Sequence, residues 1–256
     1  MDEKIMITKV DILGTRICVL TMEKTINLIE TFIQTGGHHY VCICPVSTIV
    51  ACKQDDELRT IVNTADLATP DGMPLVWLIR LKTNEKVDRV YGPDLMVDFM
   101  NATNTKKYSH FFFGGKQDVP EKMAKKFTNM FSGLRIAGCY SPPFRSLSNE
   151  EENKEIEMIN NATPDIVWVG IGSPKQEKWM KKNVSKLNAA VIIGVGAAFD
   201  FHSGVKKQAP LWLRNIGMEW FFRLLTEPLR LWRRYLVGNT LFVYWLIKEQ
   251  FKKNRR

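Results

Sequence analysis

Asp71 lies between Pro70 and Gly72 in the stretch ADLATPDGMPLVWLIR (65–80), where an apolar strand-like lead meets an apolar helix-like run beginning at Met73. Proline cannot donate a ladder hydrogen bond and glycine accepts unusual dihedrals, so the pair holds a turn in a special shape. Turns of this kind at strand ends are where open α/β sheets keep their chemistry. The plainer reading is a helix cap, since Asp is a good N-cap, and the local sequence by itself favours it. Three further places join an apolar strand to glycines: SHFFFGGK with Gly114 and Gly115, PDIVWVGIG with Gly170 and Gly172, and AAVIIGVG with Gly194 and Gly196. Glycines there let a ligand approach backbone N–H groups closely. None forms a G-x-G-x-x-G or a G-x-x-x-x-G-K-[ST] fingerprint, so a nucleotide site is indicated without its type. Near the end of the chain, Arg223, Arg230 and Arg233 fall near one face if helical geometry persists through Pro228.

The elements that must position these residues follow from periodicity. KVDILGTRICVL reads as a hairpin around Gly14. Thr21 precedes an amphipathic helix running to about Thr35 and closed by Gly36-Gly37. HYVCICPV is a buried strand, followed by a helix to about Asn63. Continuous apolar strands alternating with helices indicate a mostly parallel sheet with helices on both faces, an α/β fold. From Gly217 the texture becomes aromatic and basic, and Pro228 suits the first turn of a new helix, which predicts two or three short helices. The expected division is 1–217 as the α/β domain and 218–256 as a helical appendage.

Composition narrows the classes. The chain has 256 residues, enough for one α/β domain with an appendage. Its formal net charge is +9, and from Arg223 onward nine cations face two acids, so most of the excess sits in the last 34 residues. A basic tail on a near-neutral body suggests an anionic surface as partner. Aromatics interleaved with arginines favour a membrane surface, and no recognisable nucleic-acid motif accompanies the charge. The five cysteines show no zinc spacing and read as buried thiols of a reducing compartment. No signal-peptide pattern opens the sequence, and the apolar run Leu236 to Ile247 is too short to span a bilayer.

Six segments together resemble the WecG/TagA/CpsF family of bacterial glycosyltransferases: NTADLATPDGMPLVW, RVYGPDLM, FFFGGK, VGIGSPKQEKWM, GVGAAFDFHSG and APLWLRNIGMEWFFRLLTEPLRLWRRYL. They keep the family's order from about residue 8 to 240. The resemblance implies a Rossmann-like fold with a membrane-docking C-terminal appendage. It implies inverting, metal-independent transfer of an N-acetylmannosamine-type sugar from a UDP-type donor to a polyprenyl-diphosphate-linked saccharide, with no cofactor. Cell-surface polysaccharide or teichoic-acid-type assembly, at the inner face of the cell membrane, is the implied setting. A different donor, such as GDP-mannose or a UDP-uronic acid used for exopolysaccharide, is the alternative, and self-association is left open.

The same resemblance assigns roles. Asp71 matches a general base that deprotonates the acceptor hydroxyl, which reverses the helix-cap reading. Arg89, Arg223 and Arg230 match arginines that stabilise the departing diphosphate, with Arg233 ranked behind them because Arg234 could replace it. Gln176 and Asp200 match residues of the nucleotide or sugar site, Tyr140 a ring stacking on uracil, and Gly114 and Gly115 backbone donors near the nucleotide. Cys44 stands where many relatives carry a threonine that contacts substrate, and cysteine is the weaker hydrogen-bond partner. His202 is expected to be structural. Two rivals from other classes are a dinucleotide oxidoreductase, which lacks its fingerprint here, and a non-catalytic binding module, which leaves Asp71, Gln176 and Asp200 without a shared purpose.

Overall fold

The computed structural model describes residues 7–253. Lys9–Ile12 (β1) and Thr15–Cys18 (β2) pair antiparallel, with Ile12 opposite Thr15. Leu13 and Gly14 both take positive φ (57° and 90°), the two-residue turn whose twist suits a tight hairpin. Met22–Thr35 (α1) buries Ile26, Ile29 and Phe32 along one stripe and ends at Gly36-Gly37. His39–Cys44 (β3) is followed by two helices, Val46–Gln54 (α2) and Asp56–Asn63 (α3), in place of the single helix the apolar pattern suggests. Asp55 breaks them. Its backbone is extended, and its side chain accepts the Leu58 N–H at 3.0 Å, capping α3.

Leu67–Pro70 (β4) is buried throughout and leads through Asp71-Gly72 into Met73–Thr83 (α4). Next come Gly92–Ala102 (α5), Ser109–Gly114 (β5), Val119–Met130 (α6), Arg135–Tyr140 (β6) and Asn149–Asn161 (α7). Ile166–Gly170 (β7), Lys175–Asn183 (α8), Val191–Gly194 (β8) and the short Ala198–His202 (α9) follow. The C-terminal region forms Leu211–Asn215 (α10), Glu219–Thr226 (α11) and Pro228–Trp232 (α12). A π-helical turn, Arg233–Val237, then runs into Gly238–Lys253 (α13). Pro228 opens α12 as expected, but the helical path bends at Glu227 (φ −137°, ψ 56°), so 223, 230 and 233 do not share one continuous helix. No described helix is long and apolar enough to cross a membrane.

The mostly parallel sheet has six strands in the order β4-β3-β8-β7-β5-β6. Pairings β3·β8, β8·β7, β7·β5 and β5·β6 are all parallel. The fold is therefore mixed α/β. Strand β6 escapes the sequence reading because it is an edge strand, half-buried along its length and lacking a continuous apolar run.

The chain divides into two compact units. Among the described residues, the first comprises 7–21, Cys44–Arg89 and 208–253. In it β2 packs on β4, α4 on β1 and β4, and α13 on α2. The second comprises Met22–Ile43 and Val90–Lys207. Its core is aromatic: Phe111, Phe112, Phe113, Phe127, Trp168 and Phe199 are fully buried. Trp168 donates its indole N–H to His110 Nδ1 at 3.0 Å, and burial pushes the His110 imidazole down to about 4, so it stays neutral.

Candidate active site

Asp71 follows the last residue of β4, and its own N–H donates to the Cys44 carbonyl at 3.1 Å. That bond holds the turn from the main chain and does not use the side chain. The N-cap of α4 is Gly72, with no side-chain capping bond, and Asp71 Oδ1 is buried without a hydrogen-bond partner. A buried carboxylate oxygen left unmet is costly, which argues for a task other than capping.

One arginine organises the surroundings. Arg89 Nε donates to the Asp71 main-chain carbonyl at 2.6 Å, and its Nη2 lies 3.5 Å from Asp71 Oδ1. The same Nη2 donates to Glu219 Oε2, while Nη1 reaches the Arg214 carbonyl at 3.4 Å. A guanidinium presents several donors in a fixed plane, so Arg89 ties the β4 turn to α10 and α11 at once. Burial pushes the Asp71 carboxyl up to about 6; the positive charges of Arg89, Arg223 and Arg234 oppose that rise, and the Glu219 carboxylate adds to it. A carboxyl near 6 is ionised at neutral pH and basic enough to take a proton from a hydroxyl.

Two of these neighbours were not singled out from the sequence. Glu219 is the lone acid in the aromatic run MEWFF, and it is 6% exposed. A charge hidden in an apolar segment is the signal that could have found it. Arg234 donates from Nε to Ser47 Oγ at 2.9 Å, and burial lowers its pKa. The adjacent Arg233 is exposed and stacks its guanidinium on Trp232, 5.2 Å from the ring centre. Of the adjacent pair it is Arg234 whose charge acts on Asp71. Arg230 is also exposed, paired with Glu227 at 2.7 Å on its own surface. The first unit thus gathers Asp71, Arg89 and Arg223 with Glu219 and Arg234, and leaves Arg230 and Arg233 outside that cluster. Cys44 contributes its carbonyl, and its side chain is fully buried.

The second unit carries the remaining candidates. Gln176, the second residue of α8, is 4% exposed; its Nε2 donates to Glu177 Oε1 at 3.2 Å and its Oε1 has no partner. It lies against the end of β8, where a Cβ on Gly194 would come within 3.1 Å of Gln176 Nε2. Gly114 ends β5 with φ 135°, and a Cβ there would meet the Gly170 carbonyl carbon at 2.5 Å, so only glycine allows the two strand ends this approach. Gly115 donates its N–H to the Gly170 carbonyl at 3.0 Å. Tyr140, at the end of β6, stacks on Phe113 with centroids 5.9 Å apart and shares a hydrogen bond with Glu155. Asp200 sits in α9, ion-paired with Lys206 at 2.7 Å. His202 is buried, with Nε2 2.9 Å from the Pro93 carbonyl, a structural role. None of the five cysteines forms a disulfide, and four are buried, as read from the sequence.

A mostly parallel α/β fold with a largely buried strand-end carboxylate beside arginines suits transfer chemistry with an anionic leaving group. The chain belongs to the glycosyl transferase WecG/TagA/CpsF family, whose model matches residues 10–256, and it is a glycosyltransferase. Among similar proteins is an N-acetylglucosaminyldiphosphoundecaprenol N-acetyl-beta-D-mannosaminyltransferase of Bacillus subtilis (strain 168), 32% identical over 73% of this chain and 70% of its own. A protein of the same name from Bacillus spizizenii is 33% identical over 72% and 69%. Another of that name, from Staphylococcus aureus (strain MRSA252), is 25% identical over 98% and 97%.

Proposed function

We propose that this protein transfers an N-acetylmannosamine-type sugar from a UDP-type donor to a saccharide carried on a polyprenyl diphosphate, in assembly of a teichoic-acid-type surface polymer. The names of the three relatives support the sugar and the acceptor. Asp71 takes the proton of the acceptor hydroxyl as that oxygen bonds to the anomeric carbon. The nucleoside diphosphate departs from the opposite face with the electron pair of the broken C–O bond, and the anomeric centre inverts. One base and no covalent intermediate suffice for this route.

Arg89 and Arg223, with Arg234, supply positive charge as the diphosphate departs, where fixed guanidinium groups are worth several kcal/mol more than in water, roughly. Gln176, Asp200, Tyr140, Gly114 and Gly115 are assigned to the nucleotide-sugar, and the Cys44 carbonyl to holding the Asp71 turn. Arg230 and Arg233, exposed beside Leu229 and Trp232, are assigned to an anionic membrane surface. Residues 218–256 then dock the protein at the inner face of the membrane and also supply Arg223 and Arg234 to the Asp71 cluster.

The observation that carries this reading is the largely buried Asp71 carboxyl, raised to about 6, with Oδ1 free of any hydrogen bond and 3.5 Å from the Arg89 guanidinium. Asp71→Asn is expected to lower turnover at least about a hundredfold while leaving UDP affinity unchanged. Near-normal transfer by that variant removes Asp71 as the base.

A further inference from the structure

The second unit holds a cavity of about 590 Å³, of whose lining only Gly115 has a role in the reaction as described. It opens at the carboxyl ends of neighbouring parallel strands, with Phe113 and Gly115 from the β5 end and Gly170 from the β7 end in its wall. In parallel sheets this edge is where ligands sit. Trp179 lines it from α8, stacked on Phe113 with centroids 4.4 Å apart and 21° between planes, a flat aromatic surface. The loop 142–147 forms the other side and is held by Arg145, which makes two hydrogen bonds to Glu151 at 2.9 and 2.6 Å. Glu151 in turn completes a capping box with Ser148 at the start of α7, so the wall is anchored to that helix.

Glu155, one helical turn beyond Glu151, is 5% exposed and lines the same cavity. It hydrogen-bonds with Tyr140, yet its Oε1 is buried without any partner. Among the described residues lining the cavity, no other side chain has such an orphaned atom. An acidic oxygen kept from water against a flat aromatic pocket suits a planar ring that presents an N–H at its edge.

We propose that the cavity receives the base of the donor nucleotide and that Glu155 selects it, accepting a ring N–H of the imide type found in uracil and guanine. Cytosine presents a bare acceptor nitrogen at that position and is disfavoured. The assignment rests on the nucleotide-sugar reading above, but not on Asp71 or its arginines. Burial also pushes the Glu155 carboxyl up to about 7, against the lowering effect of its bond to Tyr140, so a partner N–H would favour its ionised form.

The test is calorimetric titration of the full chain with UDP, GDP and CDP, for the wild type, Glu155→Gln and Glu155→Ala. The wild type should prefer UDP or GDP over CDP by about tenfold or more, the effect of one hydrogen bond to a charged group. Comparison of UDP with GDP decides which base is taken. Glu155→Gln carries an NH2 that can serve cytosine, so it should narrow the preference severalfold. Glu155→Ala should weaken the preferred nucleotide while leaving ribose 5-phosphate binding unchanged, an outcome that a purely structural role does not produce. Equal wild-type affinity for UDP and CDP, or a preference unmoved by Glu155→Gln, overturns the role of Glu155 while leaving the transferase reading in place. Absence of binding by any of the three nucleotides overturns both.

Discussion

The Asp71 carboxyl joins function to a stability cost. Its folded pKa lies above the unfolded value, so the folded state holds the proton more tightly, and this contribution is complete only below the unfolded pKa of about 3.9. It is lost as pH rises through about 6, and at neutral pH the ionised group destabilises the fold by something on the order of 2–3 kcal/mol. Asp71→Asn is therefore expected to raise the melting temperature at pH 7.5, with the gain fading by pH 4, while transfer is lost. Calorimetric scans at the two pH values check this. The rate of transfer should fall below pH 6 as the base becomes protonated. Glu219→Gln should move that acid limb to lower pH, because the Glu219 carboxylate helps raise the Asp71 pKa and also occupies Arg89. A limb that stays in place, or moves upward, contradicts the coupling. Adjacent arginines offer a sharper contrast. Arg234→Ala should depress transfer at least tenfold, and Arg233→Ala should leave soluble-donor kinetics nearly unchanged.

At the scale of elements, the cluster depends on how short helices are turned. Asp55 ends α2 and starts α3 in one step, and the bend at Glu227 separates Arg223 from the exposed Arg230. The π-helical turn Arg233–Val237 adds a residue to the local register, and such turns recur at functional sites. Within it Arg234 bonds to Ser47 while its neighbour Arg233 stays exposed. Gly217 sets the approach of α11: its φ is 76°, and a Cβ there would come within 2.9 Å of the Met73 Cβ at the start of α4. Both strain and overlap oppose a side chain, so Gly217→Ala should cost about 1–3 kcal/mol, read as a lower urea midpoint. It should also reduce transfer, because α4 begins two residues after Asp71.

At the scale of the whole chain, the C-terminal helices combine exposed apolar side chains with most of the excess positive charge. Trp212, Leu225, Leu229, Trp232, Leu236 and Phe251 are each more than 40% exposed. The full chain is expected to sediment with vesicles rich in anionic lipid, to release them as salt rises past about 0.3 M, and to ignore neutral vesicles. Equal binding to both vesicle types would argue against a charge-guided surface. Removal of 218–256 is expected to abolish transfer to a lipid-linked acceptor. The same residues supply Glu219, Arg223 and Arg234 to the Asp71 cluster, so a water-soluble acceptor should not rescue the truncated form.

The sequence by itself determined the α/β class, the hairpin, the strand-end glycines and the Pro-Asp-Gly turn that carries Asp71, because periodicity, turn chemistry and short motifs act over a few residues. Family resemblance added Arg89, which no local pattern singles out, and the base role expected of Asp71. Only the tertiary structure decided that Asp71 caps nothing, that Glu219 and Arg234 join it, and that Arg230 and Arg233 face outward. Which of two adjacent arginines turns inward depends on roughly 100° of helical phase, set by the break at Glu227 and the π turn. Glu155 was equally hidden, since its orphaned oxygen exists only once α7 is packed and water is gone. Burial and charge–charge distance are properties of chain segments brought together from far apart, and linear spacing does not encode them.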